Sequence, residues 1–135
     1  MVEPASFEPS ADHDLVARQI VDSAFAVHTA LGPGLLESVY ELCLTSELES
    51  RGMTVRRQVA VPVIYRNIHV DAGFRMDMVV DDLVVVEIKA AEKILQTHDA
   101  QLITYLKLSG YKLGILINFN VVLIKHGIRR LIRKF

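Results

Sequence analysis

Leu83-Val84-Val85-Val86-Glu87-Ile88-Lys89 is the stretch on which the fold turns. Its first four residues are apolar without alternation, the pattern of a strand buried on both faces and therefore central in a sheet. Upstream, Arg75 to Val80, Ile68 to Phe74 and Val55 to Tyr65 are rich in Val and Ile. Turn residues break them, notably Asn67 and the pair Asp81-Asp82, so they read as successive strands. Further upstream the period changes. Val16, Ile20, Ala24, Val27 and Leu31 recur at three- and four-residue steps, which predicts an amphipathic helix over 15–31, with Asp12 and Asp14 suited to its positive end. Gly32-Pro33-Gly34 stops it, since proline cannot continue the hydrogen-bond ladder. A second helix is expected from Leu35 to about Ser50, its apolar side made by Leu36, Val39, Tyr40, Cys43, Leu44 and Leu48, with Gly52 as a C-terminal cap. Downstream of the central strand, Thr97 is placed to cap a third helix that runs to Ser109 and ends at Gly110. Leu113 to Phe119 and Val121 to Lys125 read as a closing hairpin, and the last residues fit strand or helix. The order is helix, helix, strands, helix, strands, with no internal repeat: a single small α/β domain.

Bulk properties agree. A chain of 135 residues is long enough for one real core and little more. We expect a flexible tail over 1–13, where Pro4, Ser6, Pro9 and Ser10 mix with acids, and one domain over 14–135. Hydrophobic residues make up 51% and charged ones 23%, with mean hydropathy +0.31, as a sheet covered on both sides requires. The N-terminus lacks the basic patch and apolar run of a secretory signal. The most apolar stretch, Leu113 to Ile124, is interrupted by Asn118 and Asn120 and falls short of the ~20 residues that span a bilayer. With one cysteine, Cys43, neither an internal disulfide nor a cysteine cage is available, and a soluble protein of the reducing cytoplasm is expected.

A formal net charge of -1 gives no global pull on nucleic acid. Basic residues do cluster at the C-terminus, where Arg129, Arg130, Arg133 and Lys134 follow Lys125 and His126, and again at Arg56 and Arg57. Such runs serve either as a solvated face or as a phosphate-binding patch.

The chemistry concentrates around the central strand. Asp77 interrupts the apolar run Met76 to Val80, and Glu87 ends the most hydrophobic strand, with Lys89 two residues on and so on the same face. Two acids brought together in low dielectric repel, and each tends to protonate unless a cation neutralises the pair. Mg²⁺ prefers oxygen ligands and is commonly held by one or two carboxylates plus substrate phosphates. A lysine beside it can position the attacking water or compensate charge developing on phosphate. The bland alternative is a same-face ion pair of Glu87 with Lys89 and a solvent-facing Asp77. On the third helix His98, Gln101 and Tyr105 share one stripe beside the apolar Leu102, Ile103 and Leu106. Gln101 and Tyr105 are placed to line the cleft. The second helix offers Glu37, Tyr40 and Glu41, whose acids either suit the helix dipole or reach a metal.

Taken together these residues resemble the GxxExxY family, a branch of the PD-(D/E)XK nuclease superfamily. The naming motif is Gly34-Leu35-Leu36-Glu37-Ser38-Val39-Tyr40. The resemblance runs on through Gly73-Phe74-Arg75-Met76-Asp77, Val86-Glu87-Ile88-Lys89-Ala90, His98-Asp99-Ala100-Gln101-Leu102, Tyr105-Leu106-Lys107 and Gly114 to Phe119, and spans about Ala17 to Arg130. It implies a restriction-endonuclease-like core, a mixed central sheet flanked by helices. It also implies Mg²⁺ or Mn²⁺ held by Asp77, Glu87, the backbone carbonyl of Ile88 and Glu37, with Lys89 catalytic and Gln101 and Tyr105 as a supporting pair. Met76 stands where the superfamily name has proline. DNA or RNA is the implied partner, with no membrane and with a homodimer as one route to specificity. The rival reading is a catalytically silent nucleic-acid- or protein-binding module on the same fold. An acid–base enzyme using His98 and Glu87 on a small metabolite lacks any cofactor motif or phosphate-cradling loop.

Overall fold

A computed structural model of the chain describes residues 8–71 and 73–133. The apolar run becomes β5 (Val84–Lys89), the middle strand of a five-stranded sheet ordered β1-β4-β5-β6-β7. Its neighbours are β4 (Arg75–Val80), antiparallel, and β6 (Leu113–Asn118), parallel; β1 (Val55–Ala60) and β7 (Ile128–Ile132) close the two edges, both antiparallel. The sheet is therefore mixed, as expected. Val84 to Ile88 are all buried, which is the burial the unalternating apolar run required.

Helices cover both faces. Val84, Val86 and Ile88 of β5 face α1 (Ala11–Leu31) and α2 (Glu37–Ser50), packing with Ile20, Ala24, Tyr40, Leu44 and Leu48. Val85 faces the other way, toward α3 (Gln96–Ser109), where Leu102, Tyr105 and Leu106 close over it together with Val79 and Leu116. Gly114 lets that helix settle low on β6, because an added Cβ would lie 3.0 Å from Leu102 Cδ2. Among the described residues, no helix is long and apolar enough to cross a membrane.

Four local expectations are corrected. Helix α1 starts at Ala11, inside the stretch read as tail, because Ser10 caps it and shares a 2.8 Å hydrogen bond with His13 Nδ1. Helix α3 starts at Gln96, not after Thr97, and the Leu95 N–H donates to His98 Nδ1 at 3.0 Å, an imidazole in the place of a capping-box glutamate. The stretch Val55–Tyr65 is two strands, since Pro62 has no N–H to give a ladder. Its second part, β2 (Val63–Tyr65), pairs only with β3 (Ile68–Val70) as a separate two-stranded ribbon. Residues 121–125 are not a strand. A 3-10 turn over Ile124–His126 connects β6 to β7, tied by the Asn118 N–H donating to the Gly127 carbonyl at 2.8 Å. The C-terminal residues left undecided form β7.

Candidate active site

Strand alternation puts Glu87 and Lys89 on the α3 side of β5, opposite Val86 and Ile88. Strands β4 and β5 pair from Val80 with Val84 to Met78 with Val86, and then part. The next groups along bond through side chains: the Ile88 N–H donates to Asp77 Oδ2 at 2.7 Å, and the Asp77 N–H donates to Glu87 Oε1 at 3.1 Å. Each carboxylate thus fills the place a ladder carbonyl would take. On the β6 side the Phe119 N–H donates to the Lys89 carbonyl at 2.9 Å, so the Ile88 carbonyl, one residue out of phase, points toward β4 and the acids. Met76 packs with the α3-side cluster although Met78 packs on the other face, so the alternation of β4 slips at Asp77.

The electrostatics follow from this geometry. Glu87 is 4% exposed. Burial, then the charge of Asp77, pushes its carboxyl up to about 8, against the opposing pull of the Asp77 N–H and of Lys89. Without a cation the pair holds a proton at neutral pH; a cation set against both oxygens reverses the balance. Two carboxylates and a main-chain carbonyl are the hard oxygen set that Mg²⁺ or Mn²⁺ takes, and these residues fit such an ion. Tyr105 lies in the same field: burial first, then Glu87 and Asp77, raise its phenol above the usual value. Its ring stands 6.4 Å from Phe74, just ahead of β4. Gln101, one turn before Tyr105, is exposed, and Lys89 is half-buried.

Other candidates fall elsewhere. Glu37 is exposed in the first turn of α2 and lines a shallow pocket with Leu35, Leu36, Ser38 and Ala90, beside the end of β5. It does not complete a metal cluster with Asp77 and Glu87, since among the described residues no three His, Cys, Asp or Glu side chains gather to hold an ion. Tyr40 is fully buried; its hydroxyl donates to the Gly32 carbonyl at 2.6 Å and accepts the Leu35 N–H at 3.1 Å, and its ring stacks on Phe119 at 4.5 Å. His98 is used at the start of α3. The C-terminal arginines do not make one patch. Arg129 pairs with Asp99 of α3 at 2.7 Å, while Arg130, next to it on β7, turns to the opposite face and meets Asp14 of α1 at 2.6 Å. Arg133 Nη1 donates to the Gly110 carbonyl at 3.0 Å, and Lys134 lies outside the described residues. One supporting residue escaped the sequence reading. Buried Asn118 accepts from the Ala91 N–H at 3.1 Å and donates to the Ala91 carbonyl at 2.9 Å, pinning the chain just past Lys89. Its signal was a polar residue inside an apolar run.

A sequence model described as the PD-(D/E)XK nuclease superfamily matches residues 14–131, and the chain belongs to that superfamily. In structure the chain is similar to an alkaline exonuclease from Laribacter hongkongensis, with 16% identity, TM-score 0.43, and coverage of 90% of this chain and 82% of that one. No curated protein matches the sequence.

Proposed function

We propose that this protein is a metal-dependent nuclease that hydrolyses phosphodiester bonds of DNA or RNA at the split between β4 and β5. One observation carries the reading: Asp77 and Glu87 exchange hydrogen bonds with each other's strands, 2.7 and 3.1 Å long, where the ladder opens, with Lys89 two residues on and on the same face. An acid pair of this kind, Glu87 buried and Asp77 half-buried beside it, is costly to fold unless a cation is its usual companion. Asp77, Glu87 and the Ile88 carbonyl would hold Mg²⁺ or Mn²⁺. When bound, the ion supplies positive charge against the scissile phosphate and acidifies water. Asp77 and Glu87 orient toward one point because each is tied to the other's strand. Lys89 brings an ammonium group to the phosphate oxygens and orients the attacking water. Tyr105 and Gln101 border the cleft and hold substrate phosphate. The lone cysteine suits work in a reducing cytoplasm.

The test is Mg²⁺ and Mn²⁺ binding by calorimetry, run with cleavage of labelled single- and double-stranded DNA and RNA. Asp77→Ala should lose both metal binding and cleavage. Lys89→Ala should keep metal binding and cleave roughly a hundredfold more slowly, the usual effect of removing a principal electrostatic group. A folded wild type that binds nucleic acid but neither metal would instead be the silent binding module.

A further inference from the structure

The register of β1 on β4 pairs Arg57 with Met78 and Val59 with Met76, but omits the pair between them, Gln58 with Asp77. Gln58 has φ +52, in the left-handed region that residues bearing a Cβ seldom occupy. Such a conformation persists only where the surroundings impose it. Here the surroundings are Glu41 of α2. Its buried carboxylate accepts from Gln58 Nε2 at 2.8 Å through Oε1, and from Arg57 Nη2 and Nε at 2.5 and 3.1 Å through Oε2. The Gln58 carbonyl is taken by Arg75 Nη1 at 3.2 Å.

The effect crosses β4. Because the Ile88 N–H faces β4, Val86 and Met78 share ladder bonds, and the amide of Asp77, one residue out of phase, belongs to the β1 side. In a regular ladder it would donate to Gln58. With Gln58 turned out, that amide goes to Glu87 Oε1 instead.

We propose that Glu41 is a positioning residue for the candidate site: it holds Gln58 in a left-handed conformation, so that Asp77 leaves the β1 ladder and its amide is released to hold Glu87. The effect on cleavage rests on the nuclease reading; the effect on geometry does not.

Glycine adopts the left-handed conformation without help, which makes the test a rescue. We expect Glu41→Ala to shift the amide resonances of Asp77 and Ile88 and to slow cleavage about tenfold, while melting stays above the assay temperature. Adding Gln58→Gly should return those resonances to their wild-type positions and recover most of the rate. A double variant as impaired as Glu41→Ala, or a Glu41→Ala variant with unmoved resonances, would overturn the proposal. If Glu41→Ala fails to fold, Glu41→Gln takes its place: it can still accept from Gln58, and Glu41→Leu, of similar bulk, cannot, so only the latter should shift the two resonances. Wild-type protein that cleaves nothing defeats the nuclease reading alone, because the resonances still report on Glu41.

Discussion

Glu87, two residues before the end of the central strand, carries a carboxyl that folding raises from 4.5 to about 8, through burial first and Asp77 second. The folded state therefore binds a proton more tightly than the unfolded chain does. Stability from this group is complete below about pH 4.5 and is lost as pH rises through about 8. Thermal melting of cation-free protein should show Tm falling across that window. Glu87→Gln keeps an acceptor for the Asp77 N–H and should flatten the fall, raising Tm at pH 8 by at least about 5 °C. Divalent-cation binding must expel the same proton, so its affinity should climb about tenfold per pH unit below pH 8. A wild-type Tm indifferent to pH over this range would rule out a buried, proton-holding Glu87. Asp77, Glu87 and Lys89 were legible in the sequence because charges inside apolar runs stand out. Their mutual bonding was not, since it depends on where two strands part. Nor was the attachment of Glu41 to Gln58, which is fixed by the packing of α2 on β1.

Elements were legible where burial alone decided them. The runs of β5 and β6 were recognisable because burial on both faces leaves only apolar residues. Val121, Val122 and Leu123 misled by the same rule: they have strand composition, yet Val122 is 87% exposed, because the tie between Asn118 and Gly127 turns the chain there. That turn depends on Gly127 lacking a side chain, as an added Cβ would lie 2.1 Å from the Asn118 carbonyl oxygen. Gly127→Ala should force β6 and β7 apart at a cost of about 1–3 kcal/mol, read as a Tm lower by roughly 5–10 °C. Because Asn118 also pins Ala91, the strain should reach the end of β5, and the Ala91 amide should exchange with deuterium faster than in wild type. Unchanged melting would show that the turn yields freely. The starts of α1 and α3 were harder to place, since His13 and His98 share in the capping and imidazole is not a usual cap.

Across the whole molecule the helix and strand order could be read from periodicity, but the disposition of charge could not, because most of the paired arginines find their partners far away in sequence or on another element. Among the described residues Arg56, Arg57, Arg129 and Arg130 meet carboxylates of other elements or turns, and Arg51 one on its own helix. Arg66 and Arg75 meet none. Arg66 lies in the turn of the β2–β3 ribbon, stacked at 5.4 Å over the ring of Tyr65, which is 63% exposed, and Arg75 opens β4 next to Phe74, which is 49% exposed and leads toward Tyr105. Exposed rings beside uncompensated cations suit unstacked bases and their phosphates. If the nuclease reading holds, Tyr65→Ala with Arg66→Ala should weaken single-stranded nucleic-acid binding about tenfold and shrink its salt dependence by roughly one counterion. Arg129→Ala with Arg130→Ala should change melting more than binding. Equal binding by the ribbon variant and wild type would discard this route. The sheet's two rims have a further consequence. Each outer strand bears a pair of adjacent arginines, Arg56 and Arg57 on β1 and Arg129 and Arg130 on β7. Bare strand edges invite another chain to add on, and charged side chains deter it. The guanidinia that hold acids at home thus also act as a fence against fibre-like stacking of copies, and one that lowers as salt screens it.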